Sequence, residues 1–491
     1  MDSVNSSNRY NIDGIILAAG KGMRSFPSNK YTPKALFRVG GKTLLERNIE
    51  IMTNQLKIKR IIVVVGHLKK QIIDHLNELK IDTSLEIVEQ RDQLGIAHAL
   101  SAAENYITSS KFIVMLGDEF YYESNHSDLI DYYDDKCDGV LVFKKEMDYS
   151  RISNNFIGKF ENKRILSLEE KPNNCNTSLM GVGTYLLNKK VFKYIMEAYP
   201  SKLRNEIEIT DVLSTMATKE NLTYIKLNGQ YFNVSNRSEL NKANYFIRNN
   251  KFSKYNVSVV IPAFNEEYSI AQVIDDYKSI SCVNEIIVVD NNSSDNTINI
   301  SKNSGAKVIL ETIQGYGAAL KSGVAASSGD LIVLIEGDGS FKANDLPKFL
   351  EYIKECDMVI GTRTTRQMIE QGSNMDYITR WANVFVAKLI EMLWWYDDPG
   401  VTPRFTDVGC TYRVIWKENY MIYEKLLNSR GPEFSVEMMV AMLKTKMKII
   451  EIPISYYKRL GGKSKHSFNY YSKMKTALKM LKVILRYRFI K

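Results

Sequence analysis

The chain is 491 residues long, 44% hydrophobic and 25% charged, with only 27 Gly and 10 Pro. That length exceeds what one core usually serves, and the composition excludes a disordered, collagen-like or low-complexity protein. The formal charge of +10 is local, because eleven Lys or Arg and no Asp or Glu lie between Lys458 and Lys491, so no nucleic-acid partner is expected.

The opening residues MDSVNSSNRYNID lack the order of a signal peptide, and no uncharged apolar run is long enough to span a membrane. Cys137, Cys175, Cys282, Cys356 and Cys410 are widely spaced and odd in number, which argues against a disulfide framework or zinc knuckle and for a cytoplasmic chain. Strand-sized runs rich in Ile and Val occur at 15–19, 61–65 and 112–116, and the pattern restarts at 257–261, 286–289 and 331–335. Stretches with helical spacing separate several of them, which is the signature of βαβ units. Residues 241–256 are polar and basic with no strand pattern. The expected fold is α/β, with two tandem Rossmann-like domains at 1–248 and 249–491 and mixed, mostly parallel sheets.

After the first run comes LAAGKGMRSFPSNKYTPKAL, where Gly20 and Gly22 let backbone N–H groups approach an anion and Arg24 and Lys34 supply positive charge. Two apolar runs end in acid, FIVMLGD at Asp118 and LIVLIEGD at Asp338. A carboxylate at the carboxyl end of such a strand can hold a divalent cation against phosphates, or merely cap the next helix.

The whole run G-x-G-x-R-x-x-P-x-x-x-x-x-P-K resembles that of the sugar-nucleotide pyrophosphorylases, and the resemblance extends from residue 12 to about 240. It implies a nucleotide-binding role for Gly20, Gly22, Gln90 and Gly95, a sugar-phosphate role for Glu170 and Gly183, and catalytic roles for Arg24, Lys34 and Lys171. Asp118 and Asn233 match the metal positions, with Asn233 standing where many relatives carry a second aspartate and Met23 where Ser or Thr is usual. The substrates implied are an NTP and a sugar 1-phosphate, with Mg²⁺ as cofactor. The attacking phosphate oxygen is already anionic, so no protein base is required.

In the second half, VSVVIPAFNEE, IIVVDNNSSDNT and EGDGS resemble, in order and spacing, a family 2 glycosyltransferase of GT-A fold. Pro262, Glu266 and Asp290 then belong to the nucleotide pocket, and Asp338 to a catalytic metal site for Mg²⁺ or Mn²⁺, with Glu336 in place of the first Asp of the usual Asp-x-Asp. TDVGCTYR, PEFSVEMM and IPISYYKRLGGKSK look like the polyprenyl-phosphate branch, which includes dolichyl-phosphate mannose synthases. That implies a lipid phosphate acceptor met by Arg459 and Lys465. A hydroxyl acceptor would instead need a base, for which Asp407 and Glu437 are the candidates; their plain readings are a helix cap and a solvated helix face.

Trp381, Trp394 and Trp395 share a helical-looking stretch where core packing is the default, although Trp also favours membrane interfaces. In the tail, about 466–491, the basic residues alternate with Met474, Ala477, Leu478, Leu481, Ile484 and Leu485. That pattern suits an amphipathic helix on an anionic membrane surface. The expected protein therefore makes an NDP-sugar and transfers its sugar with inversion. Two other readings stay open: cytidylyltransferase-like activation of a non-sugar phosphate with transfer to a hydroxyl, and one catalytically silent domain acting as a binding or membrane-recruiting module.

Overall fold

The computed structural model describes residues 11–21, 32–133, 136–174, 177–201, 206–370, 373, 377–395, 402–461 and 470–489. The chain divides into two compact units between Ala243 and Asn244. Each unit is built on its own twisted α/β sheet. The stretch without strand pattern between the two halves is the helix Arg237–Lys251, and its Arg248 anchors in the second unit, donating to Cys356 O at 2.7 Å and stacking over Trp416.

In the first unit, strand Asp13–Ala18 lies between Arg60–Val65 and Lys111–Leu116, parallel to both, with Asp13 opposite Arg60 and Phe112. Ser84–Glu89 extends the parallel side, and Leu179–Asn188 pairs antiparallel with Lys111–Leu116 on the other. Gly139–Lys145, Leu222–Leu227, Arg164–Glu170 and Phe156–Glu161 complete a mixed nine-stranded sheet. Both faces are covered: Ile16, Val63 and Met115 enter one core, while Ile15, Val64 and Val114 enter the other. Burial on both faces is why these strands read as unbroken apolar runs rather than as alternation. A separate antiparallel ladder joins Glu119–Tyr122 to Gln230–Asn233.

The second unit has a seven-stranded sheet in which Val257–Ala263 runs parallel to both Val283–Asp290 and Leu331–Leu334. The connections leave the central strand in opposite directions, so a crevice opens beyond its carboxyl end, where ligands bind in such sheets. Helix Phe434–Lys444, which carries the Met-rich EMMVAML, is buried along its length, so its methionines are core. Among the described residues, no helix is long and apolar enough to cross a membrane.

Candidate active sites

In the first unit the loop after Asp13–Ala18 begins at Ala19, and nothing lies within 4 Å of where a Gly20 Cβ would stand. Gly22 and Arg24 lie outside the described residues. Lys34 starts a short 3-10 turn and its buried Nζ lies 3.2 Å from Asp118 Oδ2. Asp118 directly precedes the strand that pairs Glu119 with Asn233, and Val234 N–H donates to Asp118 O at 3.1 Å. The ladder therefore brings Asp118 and Asn233 together from positions far apart in sequence. Asn233 Nδ2 donates to Asn155 Oδ1 at 3.2 Å, and Lys171 N–H donates to Asn155 O at 2.8 Å, so Asn155 ties the Asn233 and Lys171 stations to each other. The Lys171 backbone is held at φ 47, in the left-handed region. Its buried Nζ has no hydrogen-bond partner, and the Glu170 carboxylate is 3.9 Å away. A buried ammonium without a hydrogen bond is costly unless an anion completes it, as an incoming phosphate would.

Glu119, which the sequence reading passed over, is 2% exposed and lies beneath this group. It accepts Gly183 N–H at 2.9 Å and Tyr231 O–H at 2.6 Å, together with Tyr121 O–H. Burial raises the Glu119 carboxyl to about 7, despite the hydrogen bonds from Tyr121 and Tyr231 that favour its charged form. A Cβ on Gly183 would meet Leu116 at 2.4 Å and Glu119 at 2.7 Å, so only glycine allows this approach. Of the residues expected to bind nucleotide, Gln90 is buried and donates to Gly95 O at 3.1 Å. Gly95 sits at φ 110, where a Cβ would strike Ile207 O at 2.6 Å. Glu170 accepts Thr210 O–H at 2.9 Å.

In the second unit Asp290 closes its strand, accepts Ser293 N–H at 3.1 Å through Oδ2, and leaves Oδ1 buried without a hydrogen bond. Pro262 lies one strand over, opposite Val289. Asp338 is 1% exposed; its Oδ1 accepts Ser340 N–H and O–H at 2.9 and 2.6 Å. Glu336 accepts Thr411 O–H at 2.8 Å, and burial, then the charge of Asp338, push its carboxyl upward. Arg459 was expected to meet the acceptor; its Nη2 lies 2.7 Å from Glu266 and its Nε 3.3 Å from Asp338, the residues expected in the nucleotide pocket and at the metal. It reaches there because Tyr457 N–H and Leu460 N–H donate to Ser340 O and Asp338 O, strapping this segment along 338–340. Lys465 lies outside the described residues.

The base roles considered for Asp407 and Glu437 do not fit the geometry. Asp407 is fully buried and accepts Arg363 N–H, Nε and Nη2 at 3.0, 2.8 and 3.1 Å. Its own N–H donates to Glu451 at 2.8 Å. Glu437 is fully buried too, accepting Asn428 and Ser429 N–H and an ion pair from Arg486 at 2.5 Å. Neither is a helix cap or a solvated face; each carboxylate is consumed in holding loops.

Among the described residues no three His, Cys, Asp or Glu groups converge to bind a metal by themselves. The oxygen-bearing side chains placed next to one another are those of Asp118 and Asn233, at one end of the small ladder, and of Glu336 and Asp338, two residues apart. Both pairs have the hard-oxygen chemistry of Mg²⁺ ligands that rely on substrate phosphates to complete the shell.

Residues 13–250 match the nucleotidyl transferase family and residues 258–405 match glycosyl transferase family 2. The first half is similar to the "Bifunctional protein GlmU" of Methanococcus maripaludis strain C7, 32% identical over 251 residues, which are 50% of this chain and 56% of that one. A Methanococcus vannielii protein of the same name is 32% identical over 252 residues, 48% of this chain and 56% of its own length. The chain thus spans little more than half the length of these relatives. The second half is 30% identical over 212 residues, 43% of this chain, to "Uncharacterized glycosyltransferase Mb0553" of Mycobacterium bovis, covering 89% of it.

Proposed function

We propose, for a chain that belongs to the glycosyltransferases through its second half and carries a nucleotidyl transferase domain in its first, that it makes an NDP-sugar from an NTP and a sugar 1-phosphate. The second half then transfers that sugar, with inversion, to a polyprenyl phosphate at the cytoplasmic face of an anionic membrane. The observation that best supports this reading is the same in both halves: a carboxylate beyond a buried strand already bears a cation from a distant motif, Lys34 on Asp118 and Arg459 on Asp338. Such paired charges suit a diphosphate, whose negative charge needs fixed cations and whose metal needs a carboxylate.

In the first reaction an oxygen of the sugar phosphate attacks the α-phosphorus of the NTP, and the bond to the β-phosphate oxygen breaks with its electron pair to pyrophosphate. Lys171 holds the incoming phosphate and Lys34 offsets charge on the leaving group. In the second, an acceptor phosphate oxygen forms the bond to the anomeric carbon from the face opposite the departing diphosphate, which leaves with its electron pair. Arg459 stabilises that diphosphate, and the buried Oδ1 of Asp290 is available to a hydroxyl or N–H of the nucleoside. Mg²⁺ held by Asp118 with Asn233, and Mg²⁺ or Mn²⁺ held by Asp338 with Glu336, would supply further charge neutralisation when bound.

The test is to incubate the chain with each NTP, a panel of sugar 1-phosphates and Mg²⁺, identify the nucleotide product by mass, and then supply NDP-sugar with polyprenyl phosphate. Asp118→Ala is expected to lower synthesis by roughly 10²–10³ with transfer intact, and Asp338→Ala to do the reverse. Loss of both activities from either change in a folded protein would refute the two-site reading.

A further inference from the structure

Helix Tyr377–Leu393 turns an aromatic stripe outward. Trp381, Phe385 and Met392 are 58%, 72% and 68% exposed, and they fall four and seven residues apart, on one helical face. Trp395, 58% exposed, continues the stripe, and the Arg404 guanidinium sits over its ring at 5.1 Å. The opposite face, with Ala387, Ile390 and Trp394, is the buried one. The expectation of core packing therefore holds for Trp394 and fails for Trp381 and Trp395.

Helix Tyr470–Phe489 packs beside it and is built the same way. Met474, Leu478, Leu485 and Phe489 are exposed on one face, while Val483, Ile484 and Tyr487 are buried. The tail stripe read from the sequence is thus split, with Ile484 in the core and Met474, Leu478 and Leu485 facing out. Lys475, Lys479, Lys482 and Arg488 are exposed around them. Two helices in contact thus each carry an outward stripe of Trp, Phe, Leu or Met, which water does not favour.

We propose that this two-helix face inserts into the headgroup and acyl boundary of an anionic bilayer. The occupant follows from charge. The helix that supplies half of the face carries six Lys or Arg and no Asp or Glu, so a second copy of the same face would bring like charges together, whereas anionic headgroups complement them. Trp381 and Trp395, both exposed, are the side chains that favour the bilayer interface. The inner side of the first helix meets the segment that follows Asp407: Asn383 Oδ1 stands 3.0 Å from where a Gly409 Cβ would be. This deepens the lipid-acceptor reading, since an acceptor embedded in the bilayer would reach the crevice beside that helix, but the docking itself is measured without acceptor.

The experiment uses the full chain with phosphatidylcholine vesicles, with and without phosphatidylglycerol, carrying acyl-brominated lipid. Cosedimentation and quenching of tryptophan fluorescence are read at low and high salt. The expected result is binding to anionic vesicles with quenching, the quenching reduced in Trp381→Phe, and partitioning weakened roughly tenfold or more in Phe385→Ser combined with Leu478→Ser. The thermal melt and circular dichroism of that exposed-surface variant should match those of the native chain, which reports the folding of the second unit that carries both substitutions. Protein left in the supernatant at low salt, binding without quenching, or a self-associated chain that the double variant dissociates would each overturn the proposal. Docking with transfer only to soluble hydroxyl acceptors would refute the acceptor reading and leave the docking face standing; transfer to a short soluble polyprenyl phosphate without docking would do the opposite.

Discussion

Arg459 Nε lies 3.3 Å from Asp338 Oδ2, so the carboxylate best suited to hold a cation in the second unit already has a positive partner. The guanidinium also holds Glu266 at 2.7 Å, so it bridges the two sides of the donor crevice. A divalent cation held by Asp338 would meet a like charge, and the Arg459 side chain would have to turn away from the carboxylate to admit it. Arg459→Gln is therefore expected to tighten Mn²⁺ binding to the ligand-free chain by about five- to tenfold while slowing glycosyl transfer about 10²-fold. Calorimetric titration of Mn²⁺ without nucleotide checks the first half; unchanged affinity would show that the ion pair does not compete with metal.

The Lys171 ammonium gives a prediction in which stability and activity part. It is buried, lacks a hydrogen bond, and sits on a left-handed backbone, so the ligand-free fold gains little from its charge. Lys171→Met should leave Tm unchanged or raise it, yet increase KM for the sugar 1-phosphate by about 10- to 100-fold, the worth of one charge-assisted hydrogen bond. Initial rates against sugar 1-phosphate, beside a thermal melt, test it. A lowered Tm with an unaltered KM would assign Lys171 a structural role instead.

His126 offers a pH test of the buried network under the first site. Its Nδ1 is 2.7 Å from Ser124 Oγ and its Nε2 3.3 Å from Thr184 Oγ1, which in turn meets Tyr121 O–H at 2.9 Å. Burial lowers the imidazole from 6.5 to about 3. Between those values the unfolded chain binds a proton that the folded chain does not, so this residue's contribution is full above pH 6.5 and is lost as pH falls through the window, at about 1.4 kcal/mol per unit. His126→Gln is expected to melt below the native chain at pH 7, with the gap closing on acidification to pH 4. A gap that stays constant would mean that His126 is protonated or solvated in the fold.

What could be read in the sequence was whatever is local. Strands that end in acid, at Asp118, Asp290 and Asp338, announce themselves because buried Ile and Val runs stop where the crevice opens. Glu119 and Asn155 gave no such signal: their importance arises when Gly183, Tyr231 and Asn233, 64 to 112 residues away, pair with them. Helical spacing marked the apolar stripe through Leu478, and a helical stretch at Trp381 where core packing was the default, but it carries no information on which face meets the core, since that depends on what packs beneath. The contact of Arg459 with Asp338 was illegible for a related reason, because the strap through Tyr457 and Leu460 is a pairing between segments more than a hundred residues apart.

Whether Asp407 holds Arg363 or serves as a base bears on the hydroxyl-acceptor reading. A hydroxyl nucleophile needs a carboxylate free to take its proton, whereas Asp407 spends its oxygens on Arg363 and on Gly409 N–H at 3.0 Å. The Arg363 side chain is only 11% exposed, so neutralising Asp407 strands a largely buried guanidinium. Asp407→Asn, which keeps shape and one acceptor oxygen, should therefore destabilise the fold by about 3 kcal/mol, and Arg363→Met combined with Asp407→Asn should recover much of that loss. Thermal or urea melts of the native chain, both single variants and the double complete the cycle. If Asp407→Asn instead melts like the native chain and abolishes kcat with KM unchanged, the carboxylate works as a base and the hydroxyl acceptor regains its standing.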